Sequence, residues 1–320
     1  MILRTNVKLN FGLNVIRKRP DGYHDIETLF VPCHEFGDTL EVITGDDYSR
    51  TSASLFGRYG SVAQGISEDG KLMISIARDE GIDWDPRKDL CAKAYSLLAE
   101  DFKLPPVKIF LEKTAPVGAG LGGGSADAAF TLKALNELCS LGLSNERLSE
   151  YASRLGSDCT FFIWNRPMFG TGRGEILEPF ELDLSGYEVK VLVPEGISVS
   201  TKEAYDGIIP RCSVEGTIGV EGTATLGTLR GGTGAERSEA SGGAERSEAS
   251  STPIVPSMGL KDALMQPVEE WNGLVVNDFE ATVFKKHPEL AAIKQSLYDS
   301  GAVYAAMSGS GSAVFAMYRK

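Results

Sequence analysis

The fold of this chain is decided by the stretch Pro116-Val117-Gly118-Ala119-Gly120-Leu121-Gly122-Gly123-Gly124-Ser125-Ala126-Asp127-Ala128-Ala129. Five of the seven residues from 118 to 124 are glycine, so side chains do not shield the backbone N–H groups of this loop. A helical apolar pattern begins directly afterwards and predicts a helix over about residues 125–138. The first turn of a helix has unpaired N–H groups and a positive dipole end. Together these features predict an anion-binding loop, with a merely flexible turn as the alternative.

Two common nucleotide-binding motifs match this loop only in part. Gly118, Gly120 and Gly123 have the G-x-G-x-x-G spacing of the dinucleotide fingerprint, but residues 112–117 separate them from the preceding strand. Gly118 and Gly123 also match the glycines of a P-loop, which requires a lysine at the position of Gly124. We therefore expect an anion site of a different kind.

The rest of the chain mixes strand and helix patterns without a regular βαβ alternation. Residues 7–13 alternate apolar and polar side chains, as a strand does. Further strands are predicted at 26–31, 39–43, 107–111, 189–193, 303–307 and 313–318, and further helices at 90–98, 144–155 and from Pro288 onward. This order predicts an α+β protein with two domains of similar size, residues 1–165 and 166–320.

Composition excludes several functional classes. The 320 residues carry a formal net charge of −12, which repels nucleic acid and anionic membranes. No run of about 18 apolar residues and no secretory signal pattern occurs, so we expect a cytoplasmic protein. The five cysteines form no C-x-x-C pair and there are only three histidines, so neither a disulfide framework nor a protein metal site is expected. An anion site must therefore rely on local groups.

One region has the composition of an insertion. The octapeptide at 234–241 repeats at 243–250, and no aromatic residue occurs between Tyr205 and Trp271. Such low-complexity sequence does not form a core. We interpret residues 211–257 as a tolerated loop insertion, with a functional tail as the alternative.

The glycine loop resembles the phosphate loop of the GHMP kinases, the family of galactose, homoserine, mevalonate and phosphomevalonate kinases. Further segments resemble one branch, whose members phosphorylate the cytidine diphosphate ester of methylerythritol. These segments are Lys8-Leu9-Asn10, Arg19-Pro20-Asp21-Gly22-Tyr23-His24, Gly156-Ser157-Asp158, Gly172-Arg173-Gly174-Glu175-Ile176-Leu177 and Ser308-Gly309-Ser310-Gly311. The resemblance covers nearly the whole chain except residues 211–257.

The resemblance implies an N-terminal domain like ribosomal protein S5, a C-terminal ferredoxin-like α/β sandwich, and catalysis in the cleft between them. ATP, with Mg²⁺, would bind along the glycine loop at Pro116, Gly118, Gly120, Leu121, Gly122, Gly123, Gly124, Ser125 and Ala126. The acceptor would be the 2-hydroxyl of the methylerythritol unit, in the non-mevalonate route to isoprenoids. The protein would be a monomer or a homodimer.

The resemblance also implies roles for a charged pair. Asp158 would be the catalytic base and Lys8 its partner, with Asn10 orienting that pair or the substrate. The residues by themselves leave alternatives: an aspartate after a helix stop often lies in an exposed turn or caps a helix, and a lysine in a strand is often solvated. Ser125 would approach Mg²⁺ or a phosphate oxygen, unless its hydroxyl caps the helix.

The resemblance implies an aromatic pocket for cytosine. Tyr23 would stack on the base, His24 would hydrogen-bond its edge, and the segment that begins at Thr201 would bring Tyr205 to the other face. A surface aromatic pair is the alternative for Tyr23 and His24.

This chain departs from the family pattern in two places. Cys159-Thr160 follows Asp158 where Val-Pro is common, and Asp89 stands where asparagine is common near the adenine. Three rival functions remain at this point. They are a GHMP kinase for mevalonate-like or homoserine-like alcohols, a nucleotide-binding module without catalysis, and an oxidoreductase.

Overall fold

The computed structural model describes residues 1–45, 49, 57–211 and 258–320. The strands in these ranges are β1 (Ile2–Arg4), β2 (Val7–Lys18), β3 (His24–Cys33), β4 (Thr39–Thr44), β5 (Ala63–Ile66), β6 (Leu72–Ala77), β7 (Val107–Glu112), β8 (Met168–Thr171), β9 (Ile176–Pro179), β10 (Tyr187–Leu192), β11 (Tyr304–Met307) and β12 (Val314–Arg319). The helices are α1 (Leu90–Asp101), α2 (Gly123–Leu138), α3 (Asn145–Leu155), α4 (Cys159–Trp164), α5 (Thr201–Tyr205), α6 (Leu260–Leu264), α7 (Glu280–Lys286) and α8 (Pro288–Asp299). Residues 212–257 of the predicted insertion lie outside the described residues.

The strands form three sheets within the described ranges. One has the order β1-β4-β7-β6-β5, the second β2-β3-β8-β9 and the third β10-β12-β11. Neighbouring strands are antiparallel except β6 and β7, which run parallel. Strands β8 and β9 follow residue 165 but belong to the sheet of β2 and β3, so this sheet continues past the predicted domain boundary. The boundary itself stays a prediction.

Local sequence explains where the helices begin and end. Ser144 accepts a hydrogen bond from the backbone N–H of Arg147 and caps α3, which ends at Gly156, as its sequence pattern predicts. Pro288 occupies the first position of α8, where its missing N–H costs nothing. Helix α2 begins at Gly123, two residues before the predicted start, because the glycines already adopt helical geometry there.

Two large apolar cores hold these layers together. In the first, helices α1 to α4 pack on the five-stranded sheet through residues such as Leu98, Ile109 and Leu132. In the second, Phe11 of β2 lies 4.7 Å from the ring of Phe315 and 5.8 Å from that of Trp271, between ring centroids. Burying a side chain of this size contributes roughly 1.5–3 kcal/mol. The second core therefore joins β2 to the C-terminal sheet and fixes Lys8, on the same strand, at the junction.

None of the helices in the described ranges is long and apolar enough to cross a membrane.

Candidate active site

A cavity of about 1070 Å³ lies where the N-terminal strands, the glycine loop and α5 meet. Most of the residues predicted from the sequence line it: Lys8, Asn10, Tyr23, His24, Pro116, Gly118, Gly120, Leu121, Gly122, Gly123, Gly124, Ser125, Asp158, Thr201 and Tyr205. Ala126 does not line the cavity: its side chain packs in the first core, and its backbone N–H donates to the Gly122 carbonyl oxygen at 3.0 Å. The fold thus brings together segments that lie up to about 200 residues apart.

The glycine loop is shaped by three left-handed residues. Gly118, Gly120 and Gly122 have φ angles of 72°, 76° and 75°, which residues with side chains rarely adopt. A Cβ on Gly120 would lie 2.2 Å from the carbonyl oxygen of Ser308, so the loop packs tightly against the residues 308–311. The segment between β11 and β12 therefore supports the glycine loop by direct backbone contact.

Helix α2 starts at the loop without a side-chain cap. Gly122 is the residue before its first turn, and no side chain hydrogen-bonds to the N–H groups there. The alternative in which Ser125 caps the helix is therefore wrong. The N–H groups of the first turn remain available to an anion in the cavity, and the helix dipole adds to that attraction.

Lys8 and Asp158 face each other beside this loop. The Lys8 ammonium donates to the Asn10 side-chain oxygen at 2.5 Å and to the Gly120 carbonyl oxygen at 2.8 Å. Its Nζ lies 3.4 Å from Oδ2 of Asp158. Lys8 is buried, whereas the Asp158 side chain is 33% exposed. The pair thus consists of a fixed cation and a carboxylate that reaches the cavity.

Asp158 precedes α4, but its carboxylate makes no capping hydrogen bond to that helix. The alternative of a helix cap is therefore wrong for this residue. Because no backbone N–H occupies the Asp158 carboxylate, its oxygens can accept a proton from a ligand in the cavity.

Thr28, which the sequence reasoning missed, holds Asn10 in place. The Asn10 amide nitrogen donates to the Thr28 hydroxyl at 3.0 Å, and that hydroxyl donates to the Gly12 carbonyl oxygen at 2.6 Å. Because its nitrogen is engaged by Thr28, Asn10 turns its oxygen toward Lys8. Thr28 is a polar residue within the mostly apolar strand predicted at 26–31, and this is the signal in the sequence that could have identified it.

The aromatic residues are arranged differently from the predicted sandwich of Tyr23 and Tyr205. His24 and Tyr205 stack on each other, with ring centroids 4.5 Å apart and planes at 15°. Tyr23 is 57% exposed, and the guanidinium of Arg173 lies 4.9 Å from its ring centroid. Burial lowers the pKa of His24, with a smaller effect from Lys18, so the imidazole is neutral at pH 7.

Asp89, which also lines the cavity, is occupied by local contacts. Its Oδ1 accepts a hydrogen bond from the Cys91 N–H at 2.9 Å and so caps α1, while Oδ2 accepts one from the Trp84 indole at 3.3 Å. The indole of Trp84, together with Lys88 and Lys93, lines the cavity here. Aspartate at position 89, where asparagine is common, therefore still caps the helix and also accepts a hydrogen bond from Trp84. Trp84 was not identified from the sequence as a residue of the cavity.

Comparisons with known proteins agree with this geometry. Family models for the GHMP kinases N terminal domain and the GHMP kinases C terminal domain match residues 89–166 and 261–320. A 4-diphosphocytidyl-2-C-methyl-D-erythritol kinase of Bacteroides fragilis is 40% identical over 318 residues, which are 99% of this chain and 92% of that protein. This chain belongs to the GHMP kinase family. The family, which the glycine loop and the further segments indicated, and the α+β fold, which the order of strand and helix patterns predicted, are thereby confirmed.

Further relatives of this GHMP kinase carry the same name. One from Parabacteroides distasonis is 37% identical over 100% of this chain and 92% of its own length. A solved structure of 4-(cytidine 5'-diphospho)-2C-methyl-D-erythritol kinase has a TM-score of 0.63 at 28% identity and covers 99% of this chain and 90% of the other. A mevalonate kinase structure, with a TM-score of 0.57 at 11% identity, shares the fold.

A buried charge cluster lies behind the glycine loop of this GHMP kinase. The Lys113 ammonium lies 2.7 Å from Asp38 Oδ2 and 2.5 Å from Asp127 Oδ2, and all three side chains are almost fully buried. Burial raises the pKa of Asp127, because desolvation outweighs the attraction of Lys113. The cluster ties the second turn of α2 to the end of β7, and sequence reasoning did not identify it.

Cys159, next to Asp158, is a packed thiol. It is fully buried, and burial raises its pKa to about 12, against a smaller lowering by the Ser125 hydroxyl. A thiol with this pKa stays protonated at pH 7 and is a poor nucleophile. The departure from the family pattern at position 159 therefore places a small packed side chain in the core and not a second reactive group.

Proposed function

We propose that this protein is an ATP-dependent kinase that phosphorylates the 2-hydroxyl of 4-diphosphocytidyl-2-C-methyl-D-erythritol, a step of the non-mevalonate isoprenoid pathway. The observation that carries the proposal is the Lys8–Asp158 pair, 3.4 Å apart, beside a glycine loop at the start of α2. Relatives up to 40% identical over nearly the whole chain have this name.

The phosphates of ATP lie along the loop from Pro116 to Ser125, where the uncovered N–H groups of α2 neutralise part of their charge. Mg²⁺ accompanies the nucleotide. Among residues 1–45, 57–211 and 258–320 no cluster of three or more His, Cys, Asp or Glu side chains is suited to a metal ion. Phosphate oxygens, water and the Ser125 hydroxyl fit as its ligands, since Mg²⁺ usually keeps several waters and binds substrate phosphates.

Asp158 accepts the proton of the substrate 2-hydroxyl while the oxygen of that hydroxyl forms a bond to the γ-phosphorus of ATP. The bond from the γ-phosphorus to the bridging oxygen breaks, and ADP leaves with that oxygen. Lys8 stands where it offsets the negative charge that collects around the transferring group. The hydrogen bond from Lys8 to the Gly120 carbonyl holds the ammonium next to the glycine loop.

The cytidine part of the substrate binds at the aromatic end of the cavity. Tyr23 offers an exposed ring for stacking, the neutral His24 offers a hydrogen bond, and Tyr205 packs behind His24. Stacking of a base on an aromatic ring contributes about 1–3 kcal/mol. Thr201, at the start of α5, faces the same space. We place the enzyme in the cytoplasm, as a monomer or homodimer without a nucleic acid partner, in line with its net charge of −12.

The test is ADP release from Mg-ATP in the presence of the cytidine diphosphate ester, mevalonate or homoserine. We expect turnover with the cytidine ester alone. Turnover with another alcohol would leave the kinase and the loop intact but overturn the substrate. ATP binding without turnover on any of the three would favour a non-catalytic module.

A further inference from the structure

Arg173 lines the cavity at its aromatic end. It lies in the turn between β8 and β9, flanked by Gly172 and Gly174 with φ angles of 68° and 104°. Its backbone N–H donates to Oε2 of Glu175 at 2.6 Å, and its Nε lies 3.5 Å from Oε1 of the same carboxylate. The guanidinium rests 4.9 Å from the ring centroid of Tyr23. The turn therefore presents one guanidinium to the cavity wall.

The proposed substrate requires a cation at this end. Its diphosphate lies next to the cytidine, whereas the protein carries a net charge of −12. The cationic side chains that line the cavity are Lys8, Lys88, Lys93, Lys113, Lys202 and Arg173. Lys8 is engaged with Asp158, and Lys113 is buried between two carboxylates. Lys88 and Lys93 flank Leu90, whose Cδ1 lies 4.0 Å from a Cβ built on Gly124, so they belong to the segment beside the glycine loop.

We infer, on the basis of the proposed function, that Arg173 binds the diphosphate of the cytidine substrate. A guanidinium presents two parallel N–H groups that match two phosphate oxygens, which a lysine cannot do. Its side chain is 34% exposed and its ion pair with Glu175 is long, so it can turn toward a stronger anion at little cost. Arg173 is a binding residue: it stands at the cytidine end and not between Lys8 and Asp158.

The test compares the binding of CDP and of cytidine by calorimetry, without turnover. We expect Arg173→Met to weaken CDP about 10- to 100-fold, the usual range for a hydrogen bond to a charged group, and cytidine less than about threefold. Arg17→Met is the matched control, because Arg17 pairs with Asp25 nearby, is 70% exposed and does not line the cavity. In turnover, Arg173→Met raises the KM of the cytidine ester and leaves kcat and the KM of ATP unchanged, and Arg173→Lys recovers part of the loss.

Each contrary outcome identifies its own cause. Equal weakening of CDP and cytidine would mean that Arg173 only supports Tyr23, and it would overturn the inference. Unchanged CDP binding in Arg173→Met, with a loss in Lys202→Met, would assign the diphosphate to Lys202 instead. If the unaltered protein bound neither CDP nor cytidine, the proposed function itself would fail.

Discussion

Replacing Asp158 by asparagine separates catalysis from folding in this protein. The carboxylate makes no capping bond to α4, and its ion pair with Lys8 is partly exposed, so the free energy of unfolding should change by less than about 0.5 kcal/mol. The base is lost, and positioned general bases contribute about 10²- to 10⁴-fold. We therefore expect kcat to fall by that factor while the melting temperature stays within about 2 °C.

Lys8→Met should behave differently, although it removes the other half of the pair. Lys8 is 3% exposed, and its loss leaves the Asn10 side-chain oxygen without its donor and the Gly120 carbonyl with only the long hydrogen bond from the Ser308 hydroxyl at 3.4 Å. Each buried acceptor left unpaired costs about 1–3 kcal/mol. The ion pair with Asp158 at 3.4 Å adds less than about 0.5 kcal/mol, because Asp158 is one-third exposed and solvent screens the pair. We expect Lys8→Met to lower both kcat and stability.

The assay is ADP release at saturating substrate, together with urea unfolding of the same preparations. Asp206→Asn serves as the control, because Asp206 is an exposed carboxylate that is paired with Lys286 at 3.0 Å and does not line the cavity. Asp158→Asn with near-normal kcat would remove Asp158 as the base. Loss of stability in Asp158→Asn equal to that in Lys8→Met would refute the view that only Lys8 is structural.

Three further predictions concern the supports of the site. Gly120→Ala should raise the KM of ATP at least about tenfold, because the new Cβ both strains the left-handed backbone and clashes with the backbone of Ser308. Gly118→Ala is the control for backbone strain alone, since its Cβ would meet only a side-chain atom at 3.5 Å. Equal effects of the two substitutions would exclude the clash as the cause. Thr28→Val should lower kcat up to about tenfold by releasing Asn10, with rescue by Thr28→Ser; an unchanged kcat would reject a positioning role. Lys113→Met should destabilise the protein by about 3–5 kcal/mol in urea unfolding, since two buried carboxylates lose their cation; a change below 1 kcal/mol would contradict this.

The elements predicted correctly from the sequence include those whose ends are set by interactions between residues close together in the chain. The caps at Ser144 and Pro288, the stop at Gly156 and the helix behind the glycine loop follow from groups within a few residues of one another. Strands β1, β5, β6, β8 and β9 were not predicted. Their stability depends on distant partners: the register of Met168–Thr171, for example, is set by β3, about 140 residues earlier in the chain.

The residues of the aromatic pocket were predicted, but not their pairing. Tyr23 and His24 are neighbours in sequence and point to different surroundings, so only one of them meets α5. Which one does so depends on how α5 packs through Tyr205 on Phe279, whose rings meet edge to face with centroids 4.7 Å apart. A contact set by three separate segments has no signature in any one of them.

The first strand shows why a periodic pattern does not by itself locate a site. Alternation along β2 correctly separates Leu9 and Phe11 from Lys8 and Asn10, and such a polar face normally lies in water. Here both faces are buried, because the second core covers one and the phosphate loop covers the other. A lysine and an asparagine buried in this way need hydrogen-bond partners, and they find them in each other, in Thr28 and in Gly120. The polar half of the alternation therefore lies in the interior of the proposed active site, and the requirement for hydrogen-bond partners fixes the position of Lys8 relative to Asn10 and Gly120.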